Sequence, residues 1–323
     1  MMTKSSTAAF LLIIGAVPTS ALAQGYPPFV WTPAAFNYDT GIKPSAAVSG
    51  TRIVEVHQAA AGVGPLWYHT GTIQADDTVT WAPTAFKYDT GTAPSVAVTG
   101  NTVIEVHQAS TGIGPLWYHT GTIQADGTVT WALTAFSYDT GIRPSVAVSG
   151  STIVEVHQAG TGVGPLWYHV GEIQVSGTVT WAPTAFSYDT GVAPSVSVAG
   201  SSIIEVHQAG MGVGPLWYHT GEIQANGTII WSPSASKYDT GVGPSVAVSG
   251  PTIVEVHQAS TSAGPLWYHT GGLQANGTAT WAPTAFQYDN GEAPSAAVTG
   301  PTILEVHQAG TGVGPLWYHT GAY

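Results

Sequence analysis

Two imidazoles, two carboxylates, an amide and an indole recur together along this chain, each able to bind a hydroxyl, a proton or a hydrophobic face. In the first copy Glu55, His57 and Gln58 lie on Ile53-Val54-Glu55-Val56-His57-Gln58, and Trp67 and His69 lie on Leu66-Trp67-Tyr68-His69-Thr70-Gly71. Asp39 precedes them in Tyr38-Asp39-Thr40-Gly41. The set returns at Glu105, Glu155, Glu205, Glu255 and Glu305, a step of 50 residues with no insertion, and all twelve histidines fall in these six copies. Whatever this chemistry is, the chain offers it six times.

Four kinds of chemistry compete for these residues. A buried carboxylate needs a partner, and an imidazole opposite it supplies a charge-assisted bond, so Glu55 with His69 reads first as a structural pin. Metal ligation needs converging ligands at a recognised spacing, and nothing of the H-E-x-x-H kind occurs, so no metal and no cofactor is expected. Catalysis needs a constellation in one place, whereas the single-copy departures (Arg52, Val170, Met211, Ser236, Asn290) include no nucleophile with its base. The expectation is therefore a chain with no catalytic residue, not an enzyme.

The fourth kind is ligand binding. An indole ring packs on the apolar C–H face of a pyranose, while imidazole, amide and carboxylate bond its hydroxyls. This picks out Asp39, His57, Gln58 and Trp67 in the first unit, and Asp89, His107, Gln108 and Trp117 in the second. The third and fourth units give Asp139, His157, Gln158, Trp167, Asp189, His207, Gln208 and Trp217. The last two give Asp239, His257, Gln258, Trp267, Asp289, His307, Gln308 and Trp317. The second tryptophan of each unit, Trp81 in the first, reads as core packing.

The elements that must hold these groups follow from one unit. In the second, Pro94-Ser95-Val96-Ala97-Val98 is a short β-rich run and Thr99-Gly100-Asn101 a tight turn. Thr102 to Gln108 forms the next strand, and Ala109 to Pro115 a loop with Gly112 and Gly114. Leu116 to Gln124 is a third strand, Ala125-Asp126-Gly127 a hairpin turn, and Thr128 to Trp131 a fourth strand. A passage through Phe136 and Tyr138-Asp139-Thr140-Gly141 leads into the next unit. Nothing has helical periodicity.

A period of 40–50 residues with four short strands is the signature of a propeller blade. The expected fold is all-β: a six-bladed β-propeller of four-stranded antiparallel blades. The chain stops at Tyr323 before any fourth strand, and Phe29-Val30-Trp31 aligns with Val79-Thr80-Trp81, a fourth strand without its blade. An N-terminal strand completing the last blade would close the ring and remove two open ends. Within each blade, Gln58 opposite Leu66 puts His57 opposite Trp67 and Glu55 opposite His69, all four on one face. The minimal hairpins share one side of the disc. The long connections, Ala59 to Pro65 and the Tyr88-to-Pro94 passage, share the other, where binding is expected.

Bulk composition narrows the partners. Only 7% of residues are charged and the formal net charge is −12, so the chain cannot neutralise a phosphate backbone or settle on an anionic membrane. Cysteine is absent, which rules out disulfides and thiolate metal sites. Lys4, the apolar run Ala8 to Val17 and Ala21-Leu22-Ala23 describe a signal peptide over 1–23, leaving 24–323 as six 50-residue repeats of a secreted or periplasmic protein.

The unit Tyr-Asp-x-Gly-x-x-Pro-Ser, Glu-Val-His-Gln, Leu-Trp-Tyr-His-x-Gly resembles repeats of secreted bacterial β-propeller proteins. In architecture it is similar to six-bladed, fucose-binding propeller lectins, whose sugars lodge between adjacent blades. The arginine those lectins set on the sugar has no counterpart in every repeat, so the resemblance implies a lectin and not its sugar. The function expected is multivalent carbohydrate binding, with glycans or glycoconjugates as partners and no nucleic acid or membrane insertion. A non-catalytic adhesion scaffold with a protein partner on the long-loop face is the second reading. A glycosidase or lyase using the central channel is the third.

Overall fold

In the computed structural model the described residues are 28–32, 34–274 and 276–322; the expected leader lies outside them. They hold 24 β-strands and no helix, so nothing among them could cross a membrane as a helix. One unit is built from β2 (Phe36–Ser49), β3 (Arg52–Gln58), β4 (Gly64–Ile73) and β5 (Val79–Trp81), followed by β6 (Phe86–Thr99) of the next. The cycle runs on to β22 (Phe286–Thr299), β23 (Thr302–Gln308) and β24 (Gly314–Ala322). All pairings in the first unit are antiparallel, β2 on β3 on β4, then β5 and β6 on β4.

The passage through Tyr88-Asp89-Thr90-Gly91, expected as a connection, is strand. Its turn-forming composition is overridden by pairing: Phe86, Lys87, Asp89, Thr90 and Gly91 ladder against Tyr68, Trp67, Leu66, Pro65 and Gly64. After a bulge the same 14-residue strand runs on as the innermost strand of the following unit, where Ser95 meets Val106 and Val98 meets Val103. Each unit's outer edge is thus two pieces, the three residues of β5 and the first half of β6, separated by 82–85. Pro83, which lacks an N–H, sits in that gap, where no ladder donor is required.

Burial explains the residue types. Every residue of Ile53-Val54-Glu55-Val56-His57-Gln58 is buried, because β3 is covered on both faces by neighbouring units. Strands buried on both faces read as continuous apolar runs, interrupted here only by the polar triplet that carries the site. Small side chains, Ala46 and Ala47, face the crowded axis, which encloses a cavity of about 130 Å³. The hydrophobic clusters lie between units. One joins Ala46, Ile53 and Ile73 of the first unit to Leu304, Val306 and Tyr318 of the last.

Two belts of hydrogen bonds run round the axis and return to their start. The Ser45 hydroxyl accepts the Val96 N–H at 3.2 Å, and the series ends with Ser295 accepting the Ala46 N–H at 3.3 Å. Gln58 Oε1 accepts the Ala93 N–H at 2.8 Å, and Gln308 Oε1 accepts that of Lys43 at 2.9 Å. The N-terminal strand β1 (Val30–Trp31) pairs with β24, Val30 with Ala322 and Trp31 with Gly321. Phe29 and Trp31 pack with Val254, Tyr268, Ala296 and Ile303. The result is a closed all-β ring of repeated antiparallel units, of the propeller type.

If β1 fills the same place in the last unit that β5 fills in the first, Trp31 and Trp81 are equivalent. Trp31→Ala and Trp81→Ala should then each cost about 3 kcal/mol of unfolding free energy. Denaturant titration of the two variants side by side checks this; a Trp31→Ala protein as stable as the parent would exclude closure by this strand.

Candidate functional site

The ladder places Glu55 opposite His69, His57 opposite Trp67 and Gln58 opposite Leu66, and the same register recurs in the other five units. Partners across the strands nevertheless differ from the expected pin. Glu55 bonds not to His69 but to His57, two residues on and on the same face, with Oε2 3.1 Å from His57 Nδ1. The other ring nitrogen, His57 Nε2, faces Asp39 Oδ2 at 3.9 Å, a gap that narrows to 3.6 Å for His207, His257 and His307. His69 turns to Asp39 as well, its Nδ1 3.1 Å from Oδ2 and its Nε2 2.7 Å from the Ala82 carbonyl. Asp39 Oδ1 accepts the Thr40 N–H at 2.7 Å, which fixes the carboxylate between the two rings.

Tyr-Asp-Thr-Gly earns its form here. A Cβ on Gly41 would lie 2.5 Å from His57 Cδ2, so only glycine lets β2 pass the imidazole. Gly71 has the matching role under Trp81, where a Cβ would stand 3.1 Å from the indole. That indole stacks on Tyr38 with centroids 4.5 Å apart, the packing expected of it.

The electrostatics follow from burial and contact. Burial works against a charged His57, but Glu55, through its charge and hydrogen bond, and then Asp39 outweigh it and raise the ring above 6.5. The equivalents His107, His157, His207, His257 and His307 are raised for the same reasons. Burial pushes Asp39 up, yet the His69 bond, the Thr40 amide and both imidazoles leave it below its ordinary value. Burial, then the charge of Glu55, pushes the Tyr38 phenol well above 10.0. Against burial, the Asp39 bond and the Ala82 carbonyl raise His69, whereas His169, with its Nδ1 3.5 Å from Asp139 and no such bond, is lowered by burial.

Between units these groups open to solvent. In the third unit a cleft of about 480 Å³ is lined by Asp139, His157, Trp167 and His169, with Ile113 from the preceding unit's loop and Pro183 on the far wall. The Asp139 side chain keeps 25% of its surface exposed while that of His157 keeps 2%, so the carboxylate is the accessible end of the chain of bonds. Trp67, Trp117, Trp167, Trp217, Trp267 and Trp317 are half-buried. Among the described residues no aromatic ring stacks on any of them, unlike the Trp81 set. The cleft therefore gathers three of the four residue types proposed from sequence.

Gln58 and its equivalents stand elsewhere. Gln58 is fully buried, with its oxygen on the Ala93 N–H and on Thr92 Oγ1 and its amide on the Ala60 and Gly62 carbonyls. Gln108, Gln158, Gln208, Gln258 and Gln308 join successive units in the same way. Sequence reasoning passed over His69 as a cleft group and the apolar rim, Val63, Ile113, Val163, Val213 and Val313, each about half exposed. The signal was present: a large apolar residue just before the last glycine of the loop, five times in six. No group of three or more His, Asp or Glu among the described residues is arranged to hold a metal ion.

No protein family and no curated protein sequence matches this chain. Solved structures do. A mutant of Trypanosoma rangeli sialidase displaying trans-sialidase activity superposes with a TM-score of 0.58 at 9% identity, over 91% of this chain and 59% of that one. Trypanosoma rangeli sialidase in complex with sialic acid gives 0.55 at 8%, over 92% and 59%. A putative 6-phosphogluconolactonase from Bacteroides uniformis gives 0.50 at 12%, over 81% and 76%. This chain thus spans about three fifths of the sialidases' length. At such identities the likeness is one of fold, the β-propeller type. It corrects the expectation that the chain is not an enzyme: this repeated fold is the fold of enzymes, so sixfold recurrence is no argument against catalysis.

The raised imidazoles carry a sign. A histidine whose folded pKa lies above its unfolded value of 6.5 stabilises fully below 6.5, and that contribution is lost as pH rises toward the folded pKa. Each His57-type ring should remove about 1.4 kcal/mol per pH unit across that window. Asp39, with its lowered pKa, acts on the other flank: its contribution holds above 3.8 and is lost as pH falls through the folded value. Urea midpoints measured from pH 3 to 10 should therefore fall on both sides, with the alkaline decline starting near 6.5; a flat profile above 6.5 would refute charged rings.

Proposed function

We propose that this chain is an exported six-bladed β-propeller that binds carbohydrate in the clefts between adjacent units. The observation that carries the reading is the cleft itself: a half-buried indole with no stacking partner stands beside a partly exposed carboxylate flanked by two imidazoles, at 3.8 Å and 3.5 Å. A pyranose presents one apolar face and a rim of hydroxyls. The indole face takes the first, and the Asp139 carboxylate with the His169 ring takes the second. The rim valine or isoleucine adds an apolar edge from the neighbouring unit, so each site is shared by two units. Exposure supports Asp39, Trp67 and their equivalents as the ligand contacts, with the His57 set behind the carboxylate and the Gln58 set in the frame. Up to six weak sites on one rigid disc gain ~10²–10⁴ in avidity toward a multivalent glycan without any new contact.

A second reading, glycoside hydrolysis, is favoured by one observation. The sialidases that share the fold act on sialic acid linkages by their names, and the clefts supply a carboxylate with imidazoles at hand. Binding and turnover share the same sites in these two readings, so one set of variants tests both.

Trp167→Ala should remove one site of several, lowering the calorimetric stoichiometry for a glycan selected on an array while leaving the remaining affinity unchanged. Substituting all six equivalent tryptophans should weaken binding tenfold or more, about 1.4 kcal/mol per site, with the circular-dichroism spectrum retained. Glycan binding that survives the sixfold variant would sink the proposal. Release of nitrophenol from nitrophenyl glycosides and sialosides by the parent chain, lost in the sixfold Asp39-type→Asn variant, would establish the hydrolytic reading.

A further inference from the structure

The sixfold pattern is broken at one place where charge collects, the mouth of the axial cavity on the long-loop side. Lys43, Ala93, Arg143, Ala193, Gly243 and Ala293 occupy one ring position there, each with φ between +49° and +59° and each held by the glutamine of the preceding unit. Two of the six are cations, and both line a basin of about 510 Å³. The described residues contain only five lysines and arginines, in a chain of formal charge −12. Arg52 bonds Asn101 at the opposite end of the strands.

Neither cation has a carboxylate within ion-pair distance among the described residues. Twelve of the eighteen acids belong to the Glu55 and Asp39 sets and are committed to imidazoles. One carboxylate, Glu292, lines the basin. Desolvation lowers the pKa of both cations, and for Lys43 the charge of Arg143 lowers it further, so the two feel one another across the mouth. Like charges brought together without a counter-ion form a receiver for an anion. The axial cavity below is no alternative partner, since Ala46, Val48 and their equivalents line it.

We propose that the basin at the axis mouth binds one anionic group, a carboxylate or a phosphate on a small ligand, between Lys43 and Arg143. The planar Arg143 guanidinium would take two oxygens in a fork, and Lys43 would act as a point charge on a third oxygen of a phosphate or on one of the same two of a carboxylate. Glu292 opposes binding on its side of the basin and so orients the ligand toward the two cations. The site occurs once per chain, unlike the clefts, and stands independently of the carbohydrate reading there.

Glycine is the clean substitution, because Gly243 already occupies the same ring position at φ 59°. Isothermal titration at low salt with inorganic phosphate, D-glucuronate and neutral glucose should give one site per chain for an anion and none there for glucose. The better anion identifies the source, phosphate or carboxylate. K43G and R143G should each weaken binding about tenfold or more, and the double variant should abolish it. E292Q should strengthen it several-fold, a gain that damage to the fold would not produce, and added salt should weaken all of them. Failure of both anions to bind the parent chain, or anion binding unaltered by K43G/R143G, would overturn the proposal.

Discussion

Six carboxylates of the Glu55 kind have no exposed surface, and the rest of the structure is arranged around that fact. Leaving one such charge unpaired would cost several kcal/mol. Among the described residues no lysine or arginine pairs with one of them; the imidazole two residues along the strand does so instead. The other nitrogen of that ring faces a second carboxylate, Asp39, at 3.9 Å; Asp39 in turn stands 3.1 Å from His69 and caps Thr40. Gly41 is demanded by the same ring, since any side chain there would strike it. Charging the six His57-type rings would also halve the formal charge of −12, moderating the self-repulsion of an acidic ring.

This arrangement binds units as well as charges. Asp39 sits on the half of β2 that pairs with β24, whereas His57 and His69 belong to the unit that follows. The glutamine and serine belts make further links of the same kind at the axis. Every unit is therefore tied to its neighbour by polar contacts at the inner edge and aromatic stacking at the outer one. With the frame so determined, the loop of 59–63 is free to carry an apolar tip and the cleft is left open beside the indole. Rigidity of the frame and openness of the cleft are thus consequences of one design.

The ladder register was legible because side chains alternate along a hairpin and Glu55, His57, Trp67 and His69 occupy positions of one parity. The closing strand was legible because Phe29-Val30-Trp31 repeats the pattern of Val79-Thr80-Trp81 ahead of the first unit, and it pairs with the strand of Ala322 and Gly321. Which imidazole serves which carboxylate was not legible. Glu55 meets His57 through side-chain rotation rather than register, and the approach of Asp39 depends on the twist between units. The stretch Tyr88 to Gly91 was hidden for a different reason: its residues are those of a turn, and only the edge of the preceding sheet makes them strand. Gln58 looked like a ligand group because an amide beside a loop can serve a hydroxyl or a backbone equally well, and here the backbone of the next unit takes it.

Repetition and its failures divide the labour between the two regions described. What recurs in every unit is bound by the needs of the frame, since a change at Gly41, Glu55 or Gln58 would break a link that all six copies share. Departures concentrate where the frame makes no demand: Ser232 for alanine beside His219, Ala263 for the rim valine, and the varied ring of residues 43 to 293. At that ring the backbone is held by a glutamine whatever the side chain, so the side chain is free to differ. A sixfold frame can therefore present one unsymmetrical centre on its axis without loss of closure. Such a centre supplies the single constellation that the repeats, read one at a time, do not contain.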